Sequence, residues 1–203
     1  LISSERLNNL CMKAIKTSLL HADDTEYACF ADNPYCEDLL QSLYSVTHAE
    51  RIVYRDKVLY RYRRHAASVT RQIDFQRLER MFGGNKINEL RRYVTIWGMD
   101  TPQHMQKLQA RTTRSALTIF WLHYRAAKTM DQKRALLNFP WDTKFNAQQT
   151  RLFENPYLSR MHRFQVRAII KKEMLVLDGI CMLGKIKMRA RHEAGKPAGV
   201  HRL

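Results

Sequence analysis

Apolar residues recur at helical spacing along most of the chain. In "ERLNNLCMKAIKTSLL", residues 5–20, the positions Leu7, Leu10, Cys11, Ala14, Ile15 and Leu19 predict one buried helix face. Residues 21–34 are acidic and turn-rich and end in Asn33-Pro34, which reads as a loop. From Glu37 to about His48 the helical period returns, with Leu39, Leu40, Leu43 and Val46 on one side. The period then changes. "RIVYR" (51–55) and "VLYRYR" (58–63) predict two short strands about an Asp56-Lys57 turn, the second alternating apolar and basic residues. Beyond residue 72 the pattern is helical again. Phe75, Leu78, Met81 and Phe82 form a stripe, and Gly83-Gly84-Asn85 interrupts it. Further helices are expected over about 86–97, from Thr101-Pro102 to about 129, and over 131–138. Residues 146–192 break near Asn155-Pro156 and then run helical, leaving a loose tail. Two short strands do not make an independent sheet, so this pattern expects a larger sheet outside the sequence.

Composition narrows the class. The chain has 203 residues, 45% of them hydrophobic, which is enough to bury a core. Its formal charge of +16 is unevenly spread: the first 50 residues hold 8 acidic and 3 basic side chains, and residues 51–92, 93–150 and 151–203 are each net basic. Such a chain expects an anionic partner. Cys11, Cys29, Cys36 and Cys181 form no C-x-x-C and stand beside no histidine at zinc-ligand spacing, so reduced thiols are expected. No signal peptide or internal repeat is evident. The apolar run "MLVLDGICMLGKI" carries Asp178 and falls well short of the roughly 20 apolar residues a spanning helix needs.

Two segments carry candidate chemistry. Glu37-Asp38 opens a helix, where the dipole favours a charged carboxylate. Asp38 there can take a proton from an incoming hydroxyl, or it can serve only as first-turn charge complementarity. Arg61, Arg63 and Arg64 precede the loop "HAASVT". Guanidinium groups grip phosphate oxygens bidentately, and the loop adds N–H and hydroxyl donors. Together they could steady a diphosphate leaving group. The same arginines would also keep an exposed strand face from pairing at its edge.

In order and spacing these residues resemble the second half of family 2 glycosyltransferases of the GT-A fold. The pattern is carried by Asn8 or Asn9 with Lys13, then Glu37-Asp38, then Ala49, Ile52, Tyr54, Asp56, Leu59, Tyr60, Tyr62, Arg63, Ser68 and Thr70. The resemblance covers roughly residues 1–75 and implies the following expectations. The fold is α+β and predominantly helical. It comprises the C-terminal part of a GT-A α/β domain over residues 1–75, with two short strands and acceptor-side helices, then a helical extension over 76–192 and a tail over 193–203. A sugar passes from a nucleotide-sugar donor to an acceptor hydroxyl, with inversion, in bacterial surface polysaccharide or glycan synthesis. Asp38 is the general base, with Glu37 beside it. Arg63 and Ser68 lie near the donor diphosphate, and Lys13, Arg61 and Arg64 complete the donor and acceptor contacts. The family holds a divalent metal, Mg or Mn, on a D-x-D motif. This sequence has no D-x-D, so the ligands are expected upstream of Leu1 and the segment is not expected to catalyse unaided. The partners implied are the nucleotide-sugar and a glycan or lipid-linked acceptor, not nucleic acid, in the cytoplasm or peripheral on the inner face of the plasma membrane.

Other features compete. His65 is a weak candidate metal ligand against a reading as polar surface. Phe120, Trp121 and Tyr124 sit at core spacing in a basic helix, where nucleic-acid stacking is the lesser reading. In the segment 160–191, Phe164, Ile169, Ile170, Met174, Leu177, Cys181 and Ile186 are flanked by Arg163, Arg167, Lys171, Lys172, Lys185, Lys187, Arg189 and Arg191. That pattern suits either an anionic membrane face or a helix packed on the core. The rival to the enzyme is a non-enzymatic, basic helical protein that binds nucleic acid, favoured by the charge but lacking a helix-turn-helix or RNP signature.

Overall fold

The computed structural model describes residues 13–27, 37–55, 78, 85–145 and 151–194. Among these residues all regular structure is helical. The elements are α1 (Thr17–His21), α2 (Glu37–His48), α3 (Asn85–Ile96), α4 (Pro102–Ala126), α5 (Met130–Leu137), α6 (Trp141–Lys144), a 3₁₀ turn (Leu152–Glu154), α7 (Arg160–Ile170) and α8 (Met174–Ala194).

The expected GT-A α/β architecture is therefore corrected. The first predicted strand, 51–55, has no regular structure, and all five residues are exposed. Ile52, Val53 and Tyr54 are 68, 55 and 79% accessible. Their β-branched and aromatic character favours a strand only when a neighbouring strand and a core face are available, and the described residues supply neither to this segment. The second predicted strand, 58–63, lies outside the described residues. Residues 13–16, expected in the first helix, are irregular, and α1 begins only at Thr17.

The helices meet in two hydrophobic clusters, with α4 contributing to both. Leu39, Leu40 and Leu43 of α2 pack with Leu90, Tyr93 and Val94 of α3 and Leu108 near the start of α4. Tyr27, Trp97 and Met105 close the edge of this cluster, and Trp97 Nε1 donates to Thr47 Oγ1 at 2.9 Å. The second cluster gathers Ala116, Leu117, Phe120 and Tyr124 of α4 with Leu136, Leu137, Trp141, Phe145, Leu152, Leu158, Val166, Ile169 and Leu177. Leu78 also lies in it, fully buried. Phe120, Trp121 and Tyr124 are thus core residues rather than a stacking platform. Trp141 anchors them: its ring centroid lies 5.2 Å from Phe120 and 5.7 Å from Phe145, and its Nε1 donates to the Leu136 carbonyl at 2.7 Å.

The ends of the helices follow from local chemistry. Thr101 caps α4, accepting from the His104 N–H, with Pro102 at the first helical position. At 25 residues α4 is roughly 37 Å long. It stops at Ala126 rather than 129 because Thr129 caps the next helix. The Gln132 N–H donates to Thr129 Oγ1 at 3.2 Å, and the Thr129 N–H donates to Gln132 Oε1 at 3.3 Å. The expected break at Asn155-Pro156 is a pinned loop. Buried Asn155 donates Nδ2 to the Gln106 carbonyl at 2.9 Å and to Gln109 Oε1 at 3.0 Å, which fastens the loop to α4.

A further break separates α7 from α8, where the sequence "IIKKEM" has neither glycine nor proline. The Glu173 N–H donates to the Ala168 carbonyl at 2.9 Å and the Lys172 N–H to the Ile169 carbonyl at 3.0 Å, with Lys172 at φ 56°. The same motif ends α3, where Gly98 holds φ 62°. A lysine in this left-handed conformation is strained and a glycine is not. Lys172→Gly is expected to raise stability by about 0.5–1 kcal/mol, less whatever the exposed Lys172 to Asn138 hydrogen bond contributes. Urea denaturation checks this, and a loss of stability would contradict it.

His162, in the first turn of α7, is held neutral. Its Nδ1 is buried without a hydrogen-bond partner, and burial, then the charge of Arg114, lowers its pKa from the ordinary imidazole value. The unfolded chain therefore takes up the proton more readily than the folded one. The stability this residue supports is present above pH 6.5, the ordinary value, and is lost as pH falls below it. His162→Gln is expected to flatten the acid limb of a plot of melting temperature against pH. An unchanged acid limb would contradict the assignment.

Candidate functional site

The candidate site starts from helix α2. Its apolar face is fixed by Leu39, Leu40 and Leu43, all nearly inaccessible, against α3. Burying each such side chain contributes about 1.5–3 kcal/mol, so the helix cannot roll without losing its core. That packing leaves Asp38 half-buried in the first turn, where the unpaired N–H groups of the helix start favour negative charge. Ser42 Oγ donates to the Asp38 backbone carbonyl at 2.6 Å, and Thr47 Oγ1 donates to the Leu43 carbonyl at 2.7 Å, so both hydroxyls turn back onto the helix. Glu37 opens the same helix.

Helix α1 packs on α2, and Tyr27 in the turn after it packs against the α2 cluster. Lys13 is half-buried in the irregular segment before α1. In the turn, the Tyr27 hydroxyl donates to Asp23 Oδ2, and the Thr25 N–H donates to Asp23 Oδ1 at 3.1 Å. Burial first, then Asp23, pushes the Tyr27 hydroxyl well above the usual phenol range, so it remains a donor. Asp23 and Tyr27 thus brace the wall of the α2 cluster, and Tyr27 packs against it. Arg61, Arg63, Arg64, His65 and Ser68 lie outside the described residues. Of the expected site residues, the structure thus places Asp38 in the first turn of α2 and Lys13 in the irregular segment before α1, and it is α1 that packs on α2.

A second polar cluster was not anticipated. Asp178 Oδ1 on α8 accepts from Tyr124 on α4 at 3.1 Å and from Lys133 on α5 at 2.5 Å. The Lys133 ammonium also lies 5.1 Å from the Tyr124 ring centroid. Burial, then the hydrogen bond and charge of Asp178, raises the Tyr124 hydroxyl far above its ordinary range. The trio joins three helices at the margin of the larger core. The sequence held a signal for it, since Asp178 stands alone in an apolar helical run, a placement that calls for partners.

Among the described residues no three His, Cys, Asp or Glu side chains gather as a metal site, and no helix is long and apolar enough to cross a membrane. Among the described residues, ion pairs include Lys133 with Asp178 and Arg92 with Glu89. The chemistry such groups offer is proton transfer and anion contact. Compared with known proteins, the chain matches no family model, no curated protein and no solved structure.

Proposed function

We propose that this chain contributes the acceptor side of a nucleotide-sugar glycosyltransferase, with Asp38 as general base. The observation that carries the reading is the start of α2: Glu37-Asp38 opens a helix locked by three buried leucines, with Asp38 left half-buried in its first turn. The order of residues from Lys13 through Glu37-Asp38 to Arg63, Ser68 and Thr70 supports the same reading. It draws nothing from a sheet.

The step balances as follows. The Asp38 carboxylate takes the proton of the acceptor hydroxyl as that oxygen bonds to the anomeric carbon. The bond from that carbon to the phosphate oxygen breaks, and the nucleoside diphosphate leaves with the electron pair. Arg63 and Ser68 stabilise the departing diphosphate through charge-assisted hydrogen bonds. A divalent metal, which the resemblance implies, would neutralise the same diphosphate on ligands other than the described residues.

A second reading is a non-enzymatic protein that binds nucleic acid. The purely helical described structure and the net charge of +16 favour it. A binding comparison on the complete gene product separates the two. Glycosyl transfer expects saturable binding of a nucleotide-sugar with a modest salt dependence. Duplex DNA binding that falls steeply with salt, with no nucleotide-sugar bound, would replace it with the rival.

A further inference from the structure

Helices α7 and α8 form a hairpin whose outward side chains have no role in either core. On α7 the line Arg160, Phe164, Arg167 and Lys171 is exposed, and Phe164 is 48% accessible. Met161, at the edge of that line, is 57% accessible. On α8 the exposed positions are Leu175, Met182 and Leu183, at 88, 65 and 68% accessibility, and half-buried Gly179 lies between them. Leu175 and Met182 are seven residues apart and so lie on one side of the helix. A few exposed apolar residues are ordinary on any surface, but three large ones on a single helix face, two of them at heptad spacing, form an unpartnered stripe.

The charge around this stripe selects its occupant. No acidic residue lies between Glu154 and Glu173, while Arg160, Arg163, Arg167, Lys171 and Lys172 fall in that interval. Asp178, beside the stripe on α8, is paired with Lys133. Toward its C-terminal end the helix continues through Lys185, Lys187, Arg189 and Arg191. A second copy of the chain would bring a further +16 onto this basic segment and be repelled. An anionic bilayer offers the complement on both counts, hydrocarbon for the leucines and methionine and phosphate headgroups for the cations.

We propose that the α7–α8 hairpin is a peripheral membrane-binding surface. Leu175, Met182 and Leu183 insert into the interface of an anionic leaflet, and Arg160, Arg167 and Lys171 contact its headgroups. This inference is independent of the glycosyl-transfer reading, because the assay that tests it contains no nucleotide-sugar.

The experiment is flotation of the full chain with vesicles of phosphatidylcholine alone and with vesicles containing about 30 mol % phosphatidylglycerol. The chain should float with the anionic vesicles and be released by high salt. The combined variant Leu175→Ser, Met182→Ser, Leu183→Ser should lose at least about tenfold in partitioning, because the apolar contribution is removed. Arg160→Glu with Lys171→Glu should lose a comparable amount. All five positions are exposed, so circular dichroism should show unchanged helicity. The proposal is overturned if the wild-type chain does not float. It is also overturned if it floats equally with neutral vesicles, or if the serine variant floats as well as wild type. Self-association of the wild type that the serine variant abolishes would overturn it too, assigning the stripe to a second copy.

Discussion

Asp38→Asn in the complete gene product is expected to lower glycosyl transfer by about 10²–10⁴-fold, the range over which a positioned general base acts. Nucleotide-sugar affinity should stay within about twofold, because the substitution removes a proton acceptor and leaves shape and helix start intact. The loss should therefore appear in turnover rather than in donor affinity. Asparagine is nearly isosteric and is itself favoured near a helix start, so a fall in activity cannot be assigned to unfolding of α2. Leu39, Leu40 and Leu43 hold that helix in place whichever residue precedes them. Turnover of the variant near the wild-type rate would remove Asp38 from the chemistry.

The largest expected effect on stability is at Trp141. Its side chain is 1% exposed and lies within 5.1–5.7 Å, ring centre to ring centre, of Phe120, Phe139 and Phe145. It also closes the α5–α6 turn by donating Nε1 to the Leu136 carbonyl. Trp141→Ala removes a large apolar surface, leaves a cavity and takes one hydrogen bond from the Leu136 carbonyl, which keeps the Phe139 N–H at 3.3 Å. The expected cost is about 3–5 kcal/mol. That is a large share of the roughly 5–15 kcal/mol by which a domain is stable, so the variant should be partly unfolded at physiological temperature. Trp141→Phe keeps a ring and loses the indole donor, and about half that cost or less is expected. Denaturant titration by circular dichroism measures both. A cost below about 1 kcal/mol for the alanine variant would show that Trp141 does not organise the larger core.

Much of the helical framework was legible in the sequence. Leucines at helical spacing from Leu39 to Leu43 marked α2, and the helix expected over about 86–97, after the Gly83-Gly84-Asn85 interruption, is α3. Thr101-Pro102 marked the start of α4 to the residue. What was not legible depended on partners. Ile52, Val53 and Tyr54 have strand-forming side chains, yet a strand needs a second strand, and the exposed segment 51–55 has no regular structure. The break after α7 rests on Lys172 in a conformation normally left to glycine, so no residue type announced it. Ala127, Lys128 and Thr129 include neither glycine nor proline to end α4, and only the reciprocal hydrogen bonds of Thr129 and Gln132 reveal the new helix.

The candidate site was legible in part for the same reason. Asp38 is set by its own helix, so its place in the first turn followed from local pattern. The trio of Tyr124, Lys133 and Asp178 draws one residue from each of three helices, and only tertiary packing brings these together. Asp178 had been read merely as an interruption of an apolar run.

The most direct measurement is the fate of a labelled sugar. The complete gene product is incubated with nucleotide-sugars carrying a radiolabelled sugar and with glycan or lipid-linked acceptors bearing free hydroxyls. Free nucleoside diphosphate is measured in parallel. Glycosyl transfer predicts label on the acceptor with one nucleoside diphosphate released per sugar moved. Absence of label on any acceptor, together with tight and salt-sensitive binding of duplex DNA, would contradict it and leave a nucleic-acid-binding protein in its place.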